Sequence, residues 1–336
     1  MSDTVLVTQP EYVKGERLFA QCGDFQLLAA AEDEASLAQA VRAHGCRAVI
    51  VGVQPFRGPL YEALHEVAGE RGAIISRFGV GHDNVDKPLA RRLGIVVTNT
   101  PGVLNGSVAE HAIGLIGSLV RHVAACHEAM KSGRWRPQSG MELRGKTLGI
   151  LGFGAIGRRV AAIAHFGFGM RVIAAGRSSA QALERREGSP LNAICRQYGV
   201  SEYTTDVTAF LSEADVLSIH LPVTETTNRF VNAERLACMK RGAWLVNTAR
   251  GAVLDEDALY DALSAGHLSG AALDVYQQEP YHPQSPDRDL RTLPNILLTP
   301  HIGSNTIQAN EALARASLAN VVHFLQGHLE LLTRVD

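Results

Sequence analysis

Arg250, Glu279 and His301 are the residues of this sequence whose types and positions fit carbonyl chemistry. Arg250 directly follows the candidate strand segment Leu245–Ala249, Glu279 lies a short loop beyond Ala272–Tyr276, and His301 follows Leu297–Pro300. Such runs read as buried strands, and ligands of open α/β sheets bind beyond the carboxyl ends of strands. Taken singly, each residue has an ordinary reading: a surface arginine, a loop glutamate, a satisfied histidine. Taken together they supply a guanidinium to hold an anionic substrate and polarise its carbonyl, and an imidazole to pass a proton. The carboxylate would orient the imidazole and favour its charged form.

A second constellation precedes them. Lys146–Val160 reads as an apolar strand, then Gly152-Phe-Gly154-Ala155-Ile156-Gly157, then an amphipathic helix. Alone, this glycine spacing is a weak signal; between a strand and a helix it meets the conditions for dinucleotide binding. Gly152 permits a tight turn, Gly154 admits a pyrophosphate to the backbone, and Gly157 lets helix and strand pack closely. The helix start at Ala155 and Ile156 offers free N–H groups to the anion. The next strand, Arg171–Ala175, ends in Gly176-Arg177-Ser178-Ser179, and no Asp or Glu occurs between Arg171 and Leu183. The carboxylate that usually binds the ribose diol of NAD is absent, and a cation with hydroxyls stands in its place. NADP is therefore the expected cofactor and NAD the second candidate. A carboxylate at position 176 is expected to turn that preference toward NAD. The bland reading leaves Arg177 as a solvated loop residue.

These residues need a scaffold, and the alternation of apolar β-branched runs with helical patterns describes one. Val5–Val7, Ala48–Val53, Ala73–Ser76 and Ile95–Thr98 read as strands, with helices at Ser36–His44 and Leu60–Arg71. Asn105–Ser132 reads as one long helix connecting two domains. A second alternation follows, with strands at Thr147–Leu151, Arg171–Ala175, Val216–Leu221, Trp244–Thr248, Ala271–Val275 and Ile296–Thr299. Six strands suffice for a dinucleotide-binding sheet. A final helix, from about Thr306 to Gln326, follows the last strand and is placed to return to the first domain. The expected fold is thus α/β, with two doubly wound parallel-sheet domains. Residues 1–104 with 306–336 form a discontinuous substrate domain, and residues 105–305 form a Rossmann-type cofactor domain.

Composition narrows the partners. Lys+Arg 32 against Asp+Glu 34 in 336 residues leaves a net charge of −2, with no basic field for nucleic acid. The apolar stretch Ala109–Ala125 carries Glu110, His111, Arg121 and His122, so no membrane span is expected. The amino terminus lacks the pattern of an export signal, and five cysteines without CxxC spacing read as thiols in a reducing cytoplasm rather than as disulfides or metal ligands.

The chain resembles the D-2-hydroxyacid dehydrogenase family, which includes glyoxylate/hydroxypyruvate reductases, D-lactate dehydrogenases and D-3-phosphoglycerate dehydrogenases. The likeness is carried by Arg77–Asp86, Asn99–Gly102, Val108–His111, the glycine loop, His220-Leu-Pro222, Asn247–Gly251, Leu273–Tyr276, Glu279-Pro280 and Thr299–Ser304. It implies that Arg250, Glu279 and His301 are the catalytic set, and that the backbone of Val80 and Gly81 holds the substrate carboxylate beside Arg250 and His301. It places Asp274 and Gly303 near the nicotinamide carboxamide, and His220, Pro222 and Thr227 on the adenosine side. Val108, Thr248 and Ala249 join the cofactor-contacting set. A cleft between two domains and a homodimer through the cofactor domain are implied as well.

Departures from the family pattern are Gly176, where many members carry Asp, His82 within the substrate loop, and the long segment Gln181–Gly199. No regulatory domain follows Asp336, so feedback control of that kind is not expected. The favoured activity is reduction of hydroxypyruvate or glyoxylate by NADPH. The runner-up, D-3-phosphoglycerate oxidation, needs extra cations, for which Arg57, Arg77 and Arg134 are available. A non-catalytic sensor of the nicotinamide state is the reading from a different class.

Overall fold

The computed structural model describes residues 3–22 and 25–336. The chain forms two compact units, one running up to Leu104 and resuming over Ser304–Asp336, the other spanning Asn105–Gly303. Among the described residues, twelve strands form two parallel sheets. In the first unit these are β1 (Thr4–Thr8), β2 (Gln26–Ala30), β3 (Ala48–Val51), β4 (Ala73–Arg77) and β5 (Ile95–Thr98). Their spatial order is β2-β1-β3-β4-β5.

The second unit contains β6 (Thr147–Leu151), β7 (Arg171–Ala175), β8 (Val200–Thr204), β9 (Val216–Ile219), β10 (Ala243–Asn247), β11 (Leu268–Leu273) and β12 (Ile296–Leu298). The order β12-β11-β10-β9-β6-β7-β8 reverses between β6 and β9, which is where a doubly wound sheet opens its ligand crevice. β6 is buried along its whole length, and apolar clusters pack on both faces of this sheet, as parallel sheets require. The first unit has its own core, built on Leu6, Val49, Val51, Ile75 and Val97 from its strands and Leu37, Leu60 and Leu64 from its helices.

Sequence expectations need correction at three places. The stretch Asn105–Ser132 is two helices, Asn105–Val120 and Val123–Lys131. His122 between them has φ 54°, and the carbonyl of Val120 accepts the amide of Met141 instead of continuing the helix ladder. The second sheet has a seventh strand, β8, since the segment Gln181–Gly199 folds into helices Ala180–Glu187 and Leu191–Gln197 and delivers the chain to the sheet edge. The first sheet likewise gains β2, an edge strand whose partly exposed residues obscure its pattern.

The last helix, Ile307–Gln326, is capped by Thr306 and belongs to the first unit. Ser76 Oγ donates to the Ser317 carbonyl at 3.0 Å, and Asn320 Nδ2 donates to the Asn99 carbonyl at 3.1 Å.

Candidate active site

The glycine loop occupies the crevice of the second sheet. Gly152 has φ 106°, and a Cβ there would lie 2.5 Å from the carbonyl oxygen of His220, the residue that follows β9. A Cβ on Gly157 would approach the Gly152 carbonyl to 2.3 Å, so helix Ala155–Ala162 sits directly on the turn. Around Gly154 the space is open to 4 Å, and no side chain caps the helix it begins. The N–H groups at Ala155 and Ile156 therefore border an open site.

Beyond β9, His220 Nε2 and Ser218 Oγ are 2.8 Å apart, and burial pushes the imidazole down to about 4. His220 is thus neutral in the working range. Thr227 Oγ1 donates to the Pro222 carbonyl at 2.6 Å and accepts the Thr224 amide at 2.7 Å, which closes the loop 222–227 on itself.

Arg250 stands where β10 ends. Asn247, wholly buried, turns the chain there: its Nδ2 donates to the Arg250 carbonyl at 3.0 Å and its Oδ1 accepts the Ala249 amide at 3.0 Å. Arg250 Nη1 in turn donates to the Ala249 carbonyl at 2.8 Å. A Cβ on Gly251 would fall 1.8 Å from the carbonyl carbon of Tyr276, so only glycine lets the arginine loop lie against the loop carrying Glu279. Thr248 is buried beside them, and its Oγ1 has no hydrogen-bond partner among the described residues.

His301 Nδ1 lies 2.7 Å from Glu279 Oε2, with both side chains about one-third exposed. Glu279 Oε1 accepts the Tyr276 amide at 3.1 Å, which leaves the other oxygen aimed at the ring. His301 itself has φ 53°, a left-handed conformation that costs a residue with a side chain about 1–2 kcal/mol. The turn is held because the Asp274 carbonyl accepts the His301 amide at 2.9 Å. The Asp274 carboxylate also accepts Thr299 Oγ1 at 2.6 Å and the amides of Ile302 and Gly303 at 2.9 and 2.8 Å. His111 Nε2 lies 3.3 Å from the same carboxylate. Burial works to raise the Asp274 carboxyl, but the bonds from His111, Thr299, Ile302 and Gly303 hold it below its ordinary value. A Cβ on Gly303 would meet Asp274, His111 and Val108, so Gly303, Asp274 and Val108 of the expected cofactor set are close neighbours, with His111 beside them.

Gly176, Arg177 and Ser178 follow β7, and Arg177 is exposed with no ion pair among the described residues. Val80 and Gly81 lie in the other unit, after β4, where Asn99 Nδ2 donates to the Val80 carbonyl at 2.8 Å. Reading by sequence missed the roles of Asn247, Gly251 and His111. Asn247 carried a usable signal, because an asparagine ending a strand before a turn can bond its own backbone two residues on.

Residues 113–303 match the family model of the D-isomer specific 2-hydroxyacid dehydrogenase NAD binding domain. The chain belongs to this family. As a member it is an oxidoreductase with a nicotinamide-binding domain, and among the described residues no helix is long and apolar enough to cross a membrane. The dehydrogenase is 41% identical over 263 residues to the glyoxylate reductase of Aeropyrum pernix, covering 76% of this chain and 73% of that protein. It is 41% identical over 244 residues to the hydroxypyruvate reductase of Thermotoga maritima, covering 72% and 74%. An NADPH-dependent glyoxylate/hydroxypyruvate reductase of Sinorhizobium meliloti, solved with NADP and malonate, superposes with a TM-score of 0.77 at 29% identity, covering 97% and 94%.

The site fits the nicotinamide dinucleotide that the family implies. Open space over Gly154 suits a pyrophosphate, the uncapped helix start suits its charge, and the buried Thr248 hydroxyl lacks a hydrogen-bond partner among the described residues.

Proposed function

We propose that this dehydrogenase uses NADPH to reduce hydroxypyruvate to the D-2-hydroxy acid, or glyoxylate to its achiral 2-hydroxy acid. The observation that carries the chemistry is the 2.7 Å contact between Glu279 and His301 Nδ1, which leaves Nε2 as the nitrogen that can serve the substrate. When bound, the nicotinamide supplies the hydride. His301 gives its Nε2 proton to the keto oxygen, and the Glu279 carboxylate fixes the ring and stabilises the imidazolium. Arg250 holds the substrate carboxylate and polarises the carbonyl. Val80 and Gly81 are proposed as substrate-binding residues of the first unit, which serves as the substrate domain.

The cofactor is held by the glycine loop, with Asp274, Gly303, Val108, Thr248 and Ala249 on the nicotinamide side and His220, Pro222 and Thr227 on the adenosine side. Preference for NADPH over NADH rests on Arg177, an exposed cation with no ion pair among the described residues, next to Gly176, which has no carboxylate to repel a 2′-phosphate. The homologous reductases named above support the substrate class.

The working form is proposed to be a homodimer through the cofactor unit, where Val123, Met130 and Trp135 are 53%, 54% and 84% exposed. Sedimentation as a monomer at micromolar concentration would remove it. The five free cysteines suit a reducing cytoplasm.

The deciding experiment is oxidation of NADPH and of NADH against a panel holding glyoxylate, hydroxypyruvate, pyruvate and, in reverse, D-3-phosphoglycerate. Highest kcat/KM with NADPH and glyoxylate or hydroxypyruvate, above pyruvate, is expected. A wild type that prefers NADH withdraws the NADPH assignment, and a best turnover on D-3-phosphoglycerate withdraws the substrate.

A further inference from the structure

We infer that Tyr203 and Gly176 form a coupled pair that sets cofactor selectivity, with the tyrosine excluding a side chain at 176 while it anchors the segment presenting Arg177. This rests on the NADPH reading above. β7 and β8 pair with Ala174 opposite Tyr203, and the Gly176 amide extends the ladder to the Thr204 carbonyl at 3.2 Å. Because side chains alternate along a strand, Ala174 and Gly176 share the face from which Tyr203 rises. Both are small, and the phenol lies over Gly176. A Cβ on Gly176 would meet Tyr203 Oη at 2.6 Å and its ring carbons at 3.3 and 3.4 Å.

Two contacts hold the ring in place. Its centroid is 5.9 Å from that of Phe153 in the glycine loop, and Oη donates to the Ser178 carbonyl at 2.8 Å. Burial pushes the phenol up, so it remains a donor in the working range. The far side of the segment is fixed as well. Ser179 caps helix Ala180–Glu187, and Glu187 accepts both terminal nitrogens of Arg158 at 2.9 and 3.0 Å. Arg158 also lies over the Phe153 ring at 5.0 Å, which ties this helix back to the glycine loop. Arg177 is thus displayed from a backbone pinned at Ser178 and Ser179.

The consequence corrects the expectation that Gly176→Asp alone turns the preference. An aspartate Cβ displaces Tyr203, breaks its bond to Ser178 and loosens the cation site before any diol contact forms. A switch toward NADH requires a smaller residue at 203 in the same molecule.

The test is a double-mutant cycle on the intact chain, read by calorimetric Kd for NADPH and NADH, by steady-state kcat and KM, and by thermal midpoint. It uses Gly176→Asp, Tyr203→Ala and the double variant, with Arg177→Ala and Tyr203→Phe alongside. Tyr203→Phe keeps the ring and removes one neutral hydrogen bond, so NADPH should weaken about 3- to 10-fold, through KM with kcat retained. NADH should change less than about 2-fold by the same reasoning. Gly176→Asp alone should lower the midpoint and weaken both cofactors. The double variant should melt above Gly176→Asp and bind NADH more tightly than wild type. If Gly176→Asp is as stable as wild type and gains NADH equally with Tyr203 present or absent, the pair is not coupled and the inference falls, with NADPH preference intact. A wild type that binds NADH more tightly, with Arg177→Ala neutral, overturns the NADPH reading and the selectivity role together.

Discussion

Asp274 Oδ2 accepts the amide hydrogen of Gly303 at 2.8 Å, and a Cβ at 303 would approach the same oxygen to 3.0 Å. The contact shows what the carboxylate does within the protein: it winds the turn 299–303 around itself, and His301 sits in the middle of that turn. Asp274→Ala removes all these bonds from a buried site. Hydrogen bonds to a charged group contribute about 1.5–3 kcal/mol each, so a stability loss of at least ~3 kcal/mol is expected by urea unfolding. The kcat should fall with it, and Asp274→Asn should lie between the two. Unchanged urea midpoints would show that the turn holds without the carboxylate.

His301→Ala should lower kcat by roughly 10²–10⁴-fold, the usual worth of a positioned proton donor. Direct binding of NADPH should persist, because the glycine loop is built on β6 and not on the His301 turn. Glu279→Gln should lose less, since an amide oxygen can still accept from the Tyr276 amide while the charge beside the ring is gone. Single-turnover rates at saturating cofactor separate the two effects, and near-normal turnover without His301 would remove it from the proton path.

Arg250→Lys keeps the charge but gives up the planar fork, so KM for the keto acid should rise at least about 10-fold with kcat also reduced. Gly251→Ala should be worse for stability, because its Cβ cannot coexist with the Tyr276 carbonyl carbon 1.8 Å away. Wild-type kinetics in the lysine variant would make Arg250 a bystander charge.

Glu256 lies under the Glu279 loop, 3% exposed, and accepts the Gln277 amide at 2.6 Å. Burial pushes its carboxyl up to about 7, and the charges of Asp257, Asp255 and Glu279 add to this against the Gln277 bond. A carboxyl raised in the folded state holds its proton there while the unfolded chain has released it. Its contribution to stability therefore falls as pH rises from the ordinary value of 4.5 to about 7. Glu256→Gln should flatten that part of the profile and narrow the gap to wild type at low pH. Melting curves from pH 4 to pH 8 check the sign, and parallel profiles for the two proteins would refute it.

Short-range information was enough for much of the site. The strand-turn-helix pattern around Gly152, Gly154 and Gly157, and the positions of Arg250, Glu279 and His301 just past strand ends, are set by local periodicity and turn residues. They are legible because a parallel strand buried on both faces must be apolar along its length. The family motifs extended this to the order of the elements. Other features depend on partners far away in sequence. The helix break at His122 depends on Met141 reaching the Val120 carbonyl, and β8 exists as a strand because β7 offers it an edge. Gly251 owes its identity to Tyr276, and Asp274 owes its bonds to a turn that begins at Thr299. Gly176 reads in the sequence as a missing carboxylate, whereas in the fold it is the space that Tyr203 fills. Local propensity and pattern can place a residue on a strand or a turn. Which side chain will occupy the volume above it is decided only when distant segments pack at close to crystal density.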